Sequence, residues 1–204
     1  MISSGFSHLI CGLSGSGKTT IGKLISKSAN LEFVDFADLI VNEAGFLGAE
    51  IKSHDDIIAL SPEILVKSIE RARNYCEKIV KSGRRIILES HLGIFVEGIG
   101  YRLTNPEILK NRNTLSIIVI LPNYKTLVSF RKERSEGRDR IKITKEQDKI
   151  NRQILVMDAS ISSAILDIPL IIENNPSKKI NYTVNKLVKI IETASKIKKN
   201  PKDR

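Results

Sequence analysis

Near the start of the chain, Gly12-Leu13-Ser14-Gly15-Ser16-Gly17-Lys18-Thr19 restricts the fold more than any other stretch. Gly, four residues, then Gly-Lys-Ser/Thr is the pattern of a phosphate-binding loop, or P-loop. Backbone N–H groups must converge on a bound triphosphate, and glycines let the main chain come that close. Gly12, Ser14, Gly15, Ser16, Gly17, Lys18, Thr19 and Thr20 are therefore the expected nucleotide-binding residues. Lys18 is the expected point charge on the terminal phosphates, and the Thr19 hydroxyl the expected Mg²⁺ ligand of a bound Mg-ATP. The flanks agree. Phe6 to Cys11 is an apolar run of strand type, and Thr20 to Ala29 reads as a helix whose N-terminus adds its positive dipole end.

Strand-like and helix-like stretches alternate through the rest of the chain, which predicts a parallel sheet with helices on both faces. Leu31 to Phe36 reads as a strand, and Ala37 to Ala44 as a short helix ended at Gly45. Residues Gly45 to Leu60 are poorly periodic and read as an insertion. Ser61 and Pro62 suit an N-cap and first helical position, and Gly83 a stop. Ile86-Ile87-Leu88 is a buried strand ending at Glu89. Ser90 to Asn113 reads as a long loop region, and Leu115 to Leu121 as the central strand. Tyr124 to about Glu133 is a helix. Thr144 with Gln147 forms a capping box for a long helix carrying Ile150, Ile154, Met157, Ile161 and Ile165 on one face. Ile168 to Ile172 is the last strand, and Ile180 to Ala194 the closing helix.

The whole chain, residues 1–204, reads as one domain with no internal linker. A formal net charge of +10 favours anionic partners, nucleotides among them. Cys11 and Cys76 make neither a disulfide framework nor a metal cluster, which fits a reducing cytoplasm. The aliphatic runs are too short for a membrane helix. The three histidines are too scattered in sequence for a zinc site.

In an open parallel sheet, ligands sit at the carboxyl ends of the strands. That edge gathers the P-loop, Asp35 and Glu89 to His91. Glu89 is the expected second Mg²⁺-site residue, complementing Thr19. His91 is a candidate contact for an acceptor. Arg131, Arg134, Arg138 and Arg140 crowd a short polar window. Guanidinium forks stabilise the charge spread over a transferring phosphoryl group, so Arg138, Arg140 and Arg134 join Lys18 as the expected catalytic residues. Supplied from a closing lid, they would also exclude water.

With these parts in place, the sequence resembles a nucleoside monophosphate kinase of the archaeal adenylate kinase type. The resemblance rests on GLSGSGKTT, on Ile87-Leu88-Glu89-Ser90-His91 and on Arg138-Asp139-Arg140, and spans about Ser7 to Glu192. It implies a P-loop NTPase fold with a five-stranded parallel core, an acceptor-binding segment near residues 36–60 and a short lid near 131–142. It also implies ATP and Mg²⁺ as cofactors, phosphoryl transfer to AMP, and a homotrimer. The departures lie on the acceptor side. Where that family holds AMP with arginines, this chain has Lys52, His54, Asp55 and Asp56, and its later loop reads Gly98-Ile99-Gly100-Tyr101-Arg102. Lys52 or Arg102 are the candidate substitutes. Two alternatives stay open: a kinase for another nucleotide or small acceptor, and a P-loop ATPase that binds RNA or a protein partner.

Overall fold

Every residue of β1 (Phe6–Gly12) and β6 (Thr114–Ile120) is buried, which places both strands at the centre of a sheet covered on two faces. The structure is a computed structural model that describes residues 5–51, 53–92, 94–96, 100–102, 105–133, 144–174 and 180–199. β2 (Glu32–Asp35), β3 (Arg85–Glu89) and β7 (Leu170–Glu173) complete a five-stranded sheet in the order β2-β3-β1-β6-β7. All four pairings are parallel, as expected from the alternating pattern.

Alternation along the strands divides the core in two. Leu9, Cys11, Leu88, Ile117 and Val119 face one layer, formed by α3 (Pro62–Lys81), α4 (Pro106–Asn111) and α6 (Lys145–Leu166). Ile10, Ile87, Ile118 and Ile120 face the other, formed by α1 (Lys18–Ala29) and α7 (Ile180–Lys199). The helix boundaries follow their chemistry. Ser61 caps α3 through its side chain, with Pro62 at the first position. Thr144 and Gln147 make both bonds of the expected capping box. Gly83 takes a φ of 89° just beyond α3, a conformation open to glycine at no steric cost.

Three expectations change. Gly45 does not end the second helix, because α2 runs Phe36–Phe46 with Asp35 as its cap. The segment read as an insertion holds a 3₁₀ turn, His54–Ala59, beside α2. The long loop region contains an antiparallel pair, β4 (Ile94–Val96) with β5 (Gly100–Arg102), and then α4. Short strands and a six-residue helix carry too little periodicity to read from sequence. Among the described residues, no helix is long and apolar enough to cross a membrane.

His8, at the centre of β1, is fully buried. Ser195 Oγ donates its one hydrogen to the Ile191 carbonyl at 2.8 Å, so it accepts from His8 Nε2–H at 3.3 Å. The other ring nitrogen, Nδ1, then accepts from Ser116 O–H at 2.8 Å. Burial pushes the pKa from 6.5 down to about 4, so the ring is neutral at pH 7. The unfolded chain binds a proton in that window that the folded chain refuses, so stability falls as pH drops from 6.5 towards 4. Across that window wild type is expected to lose about 3 kcal/mol that a His8→Gln variant does not. Urea midpoints of the two proteins at pH 7 and pH 4 measure the difference, and parallel losses would show that His8 does not titrate this way.

Candidate active site

β1 ends at Gly12, and the chain turns through the P-loop into α1 at the carboxyl edge of the sheet. Gly15 and Gly17 take φ values of 80° and 89°, which side chains disfavour. Gly17 is the N-cap of α1 and supplies no side-chain bond, and the first turn holds no acid. By contrast α2, α3, α4 and α6 are capped by Asp35, Ser61, Asn105 and Thr144. No side chain of the N-cap residue covers the first turn of α1, which suits the binding of an external anion there.

Parallel pairing of β1 with β3 sets Ile10 opposite Glu89 and carries the Glu89 carboxylate to the P-loop. Thr19 Oγ1 donates to Glu89 Oε1 at 2.8 Å, and Lys18 Nζ stands 3.4 Å from the same oxygen. Lys18 and Glu89 are both buried. Burial pushes the Glu89 carboxyl above its ordinary range, opposed by Lys18 and the Thr19 hydroxyl and reinforced by Asp35. Among the described residues, the second carboxylate oxygen, Oε2, is buried with no hydrogen-bond partner, and so is Ser16 Oγ inside the loop. A hydroxyl and a carboxylate are hard oxygen donors, and the orphaned Oε2 is a further open valence, so this corner fits Mg²⁺. Thr19 and Glu89 would hold the ion, which neutralises phosphate charge when bound.

Arg131, at the end of α5 (Tyr124–Glu133), binds the P-loop itself. Its Nε and Nη2 both donate to the Ser14 carbonyl, at 3.0 and 2.8 Å. By spacing alone Arg131 groups with the lid arginines, since nothing in the sequence shows that a helix 117 residues away lands on Ser14. Arg131→Ala is expected to raise the KM for ATP about tenfold with little change in melting temperature, as a charge-assisted bond of roughly 1.5 kcal/mol is lost. Initial rates at varied ATP measure it, and an unchanged KM would show that the fork does not set the loop.

The segment expected to receive the acceptor is acidic. Asp35 caps α2 by accepting from Ala37 N–H at 2.9 Å, and Asp38 pairs with His54 at 2.6 Å. Asp35, Asp38 and His54 bring their ligand atoms within 4.8 Å of one another, a grouping that the sequence separation hid. His91 keeps an exposed surface. The protein around it, with the charges of Lys18 and His54, pushes its pKa below the usual 6.5. Burial also pushes both thiols up, Cys76 to about 11, so neither is a nucleophile.

The structure places Gly12, Ser14, Gly15, Ser16, Gly17, Lys18, Thr19 and Thr20 in one turn from β1 into α1 and brings Glu89 against Lys18 and Thr19, with His91 two residues beyond Glu89. Lys52, Arg134, Arg138 and Arg140 lie outside the described residues, and so does most of the lid segment. Arg102 stands in β5, its side chain outside the description.

A family model described as an AAA domain matches residues 11–149. The shikimate kinase of Clostridium botulinum (strain Alaska E43 / Type E3) is 32% identical over 177 residues, covering 81% of this chain and 96% of that protein. The shikimate kinase of Synechococcus elongatus is 34% identical over 85 residues, 42% of this chain, and the match spans 44% of that relative's length. Among solved structures, shikimate kinase from Bacteroides thetaiotaomicron superposes with a TM-score of 0.60 at 17% identity, over 92% of this chain and 98% of that one. At that identity the likeness speaks for the fold.

Proposed function

Because the chain belongs to this AAA-domain family and carries the fold of a P-loop kinase, we propose that it transfers the terminal phosphoryl group of Mg-ATP to a hydroxyl of a small acceptor, shikimate being the first candidate. The observation that carries the reading is Glu89 joined to both Thr19 and Lys18, with one buried oxygen left over. Lys18 and the uncapped α1 hold the phosphates, while Thr19 and Glu89 hold the metal. Arg138, Arg140 and Arg134 are the proposed charge-stabilising residues of the lid.

The acceptor side supports a hydroxyl-bearing molecule. Asp35 and Asp38 accept hydrogen bonds from hydroxyls and repel a phosphate. No arginine occurs between residues 36 and 60, where a nucleoside monophosphate would need its phosphate held. AMP is the second reading, favoured by the resemblance of Arg138-Asp139-Arg140 and of Glu89-Ser90-His91 to archaeal-type adenylate kinases, which typically have an aspartate in place of Glu89. His91, Lys52 and Arg102 are the proposed acceptor contacts in either case. The site is proposed to work in the cytoplasm on soluble substrates.

Incubating the protein with Mg-ATP and a panel of shikimate, AMP, other nucleoside monophosphates and simple polyols decides between them. Shikimate-dependent ADP formation with a phosphorylated acceptor is the expected result. Conversion of AMP to ADP would favour the second reading. ATP hydrolysis with no acceptor phosphorylated, together with salt-dependent RNA binding, would sink both.

A further inference from the structure

The long apolar face of α6 does not do what its periodicity leads one to expect. Leu155, Ala159 and Ser162 are the α6 residues buried towards the sheet, along with Asp148 and Asp158. Ile150, Met157, Ile161 and Ile165 stand 44, 48, 42 and 62% exposed, with Ile154 half-buried between them. These five recur at steps of four, three, four and four, a stripe along one side of a 22-residue helix. Between Ile150 and Ile165, the exposed positions are filled by these apolar residues and by Gln153, Ser160 and Ala164. No charge interrupts them, in a chain whose net charge is +10.

We propose that this stripe is a self-association surface, covered by the same stripe of a second copy in an antiparallel, two-fold pairing. Three features select a second copy over an unrelated partner. A chain so positively charged repels itself everywhere except where charge is missing, and this face is such a place. An isologous contact needs one patch complementary to itself, and a 3.5-residue apolar repeat flanked by Ser160 and Ala164 is that. The area also fits. The stripe offers on the order of 400 Å² of apolar surface, the size that marks interaction sites. Two copies bury about 1,000 Å² in total, the lower end of specific interfaces. The dimer is therefore weak and concentration-dependent. Antiparallel packing sets each helix N-terminus beside its partner's C-terminus, whereas a parallel pair would join like dipole ends. The stripe is centred on Met157, which places the two-fold axis there.

Sedimentation velocity of the full chain from about 1 to about 200 µM tests this, with half-dimerisation expected at tens of micromolar. The Met157→Glu, Ile161→Glu double variant is expected to stay monomeric throughout, with circular dichroism and melting temperature unchanged because both sites are exposed. Cross-linking gives an independent reading. Met157→Cys is expected to form a disulfide-linked dimer on mild oxidation, since the native thiols are buried. Ile150→Cys should not, being roughly 20 Å from its own copy in this arrangement. A wild type that is monomeric at every concentration, or a dimer untouched by the double substitution, overturns the proposal. Efficient self-linking of Ile150→Cys overturns the antiparallel pairing, and an α6-dependent trimer overturns the two-fold one.

Discussion

A Lys18→Ala protein is expected to keep its fold and to lose phosphoryl transfer by about 1,000-fold or more, the scale on which a fixed charge acts on a developing transition state. Lys18 is buried beside Glu89 at 3.4 Å, so the substitution also strips a buried carboxylate of its cation. Thr19 still donates to Glu89, which limits the cost to about 2–3 kcal/mol at pH 7. The sign of the pH dependence follows from Glu89. Its folded pKa already lies above the unfolded value, and losing Lys18 removes the main influence holding it down. The folded variant then binds a proton that the unfolded chain does not, so its stability rises as pH falls towards the ordinary carboxylate range. The deficit relative to wild type should shrink between pH 7 and pH 5. Adding Glu89→Gln should restore stability at pH 7 and leave activity lost. Coupled-assay turnover and thermal melts at both pH values measure these outcomes, and a Lys18→Ala protein that still turns over would undo the assignment of the P-loop.

Gly12→Ala carries a large expected structural effect at the nucleotide loop. A Cβ on Gly12 would lie 2.5 Å from the Ile120 carbonyl oxygen and 2.6 Å from Ser16 Oγ. The first is the backbone of a central strand paired with Gly12 in register, so relief requires β1 and β6 to part. Overpacking of this kind costs about 3 kcal/mol. For a chain of this size that lowers the melting temperature by about 10 °C. The same movement displaces the P-loop, so ATP affinity should fall with stability. Gly45→Ala is the control. It sits inside α2 with nothing within 4 Å of the added carbon, and helix propensity favours alanine by about 1 kcal/mol. A Gly12→Ala protein as stable as wild type would show that the strands adjust at little cost.

Contact between glycine and neighbouring backbone cannot be seen in a sequence, yet the residue's role can. The P-loop and Glu89 were legible because their chemistry is local: a fixed spacing and an acid closing an apolar run. The long central strands were legible for the same reason. What escaped depends on distance through the fold. Arg131 on Ser14 and Asp38 with His54 join residues whose proximity is set by helix placement. The stripe on α6 was legible as a stripe, but periodicity does not say which side of a helix meets the core. Leu155 and Ala159 cover the sheet, and the more regular face was left outside. The β4–β5 pair and α4 were too short for any period to register.

The strand order carries a consequence for the newborn chain. β1 leaves the ribosome before either of its neighbours, β3 and β6, which set Glu89 beside Ile10 on one side and Ile118 on the other. A strand destined for the middle must therefore wait for β3 before one edge is paired, and for β6 before the other is. Contacts so distant in sequence are slow to form and leave apolar edges open to chaperones or to aggregation meanwhile. The nucleotide site inherits this delay. Its first residues are made early, but the cleft they line closes only when Ile120 has emerged, so a nascent chain stalled before β6 should not retain ATP.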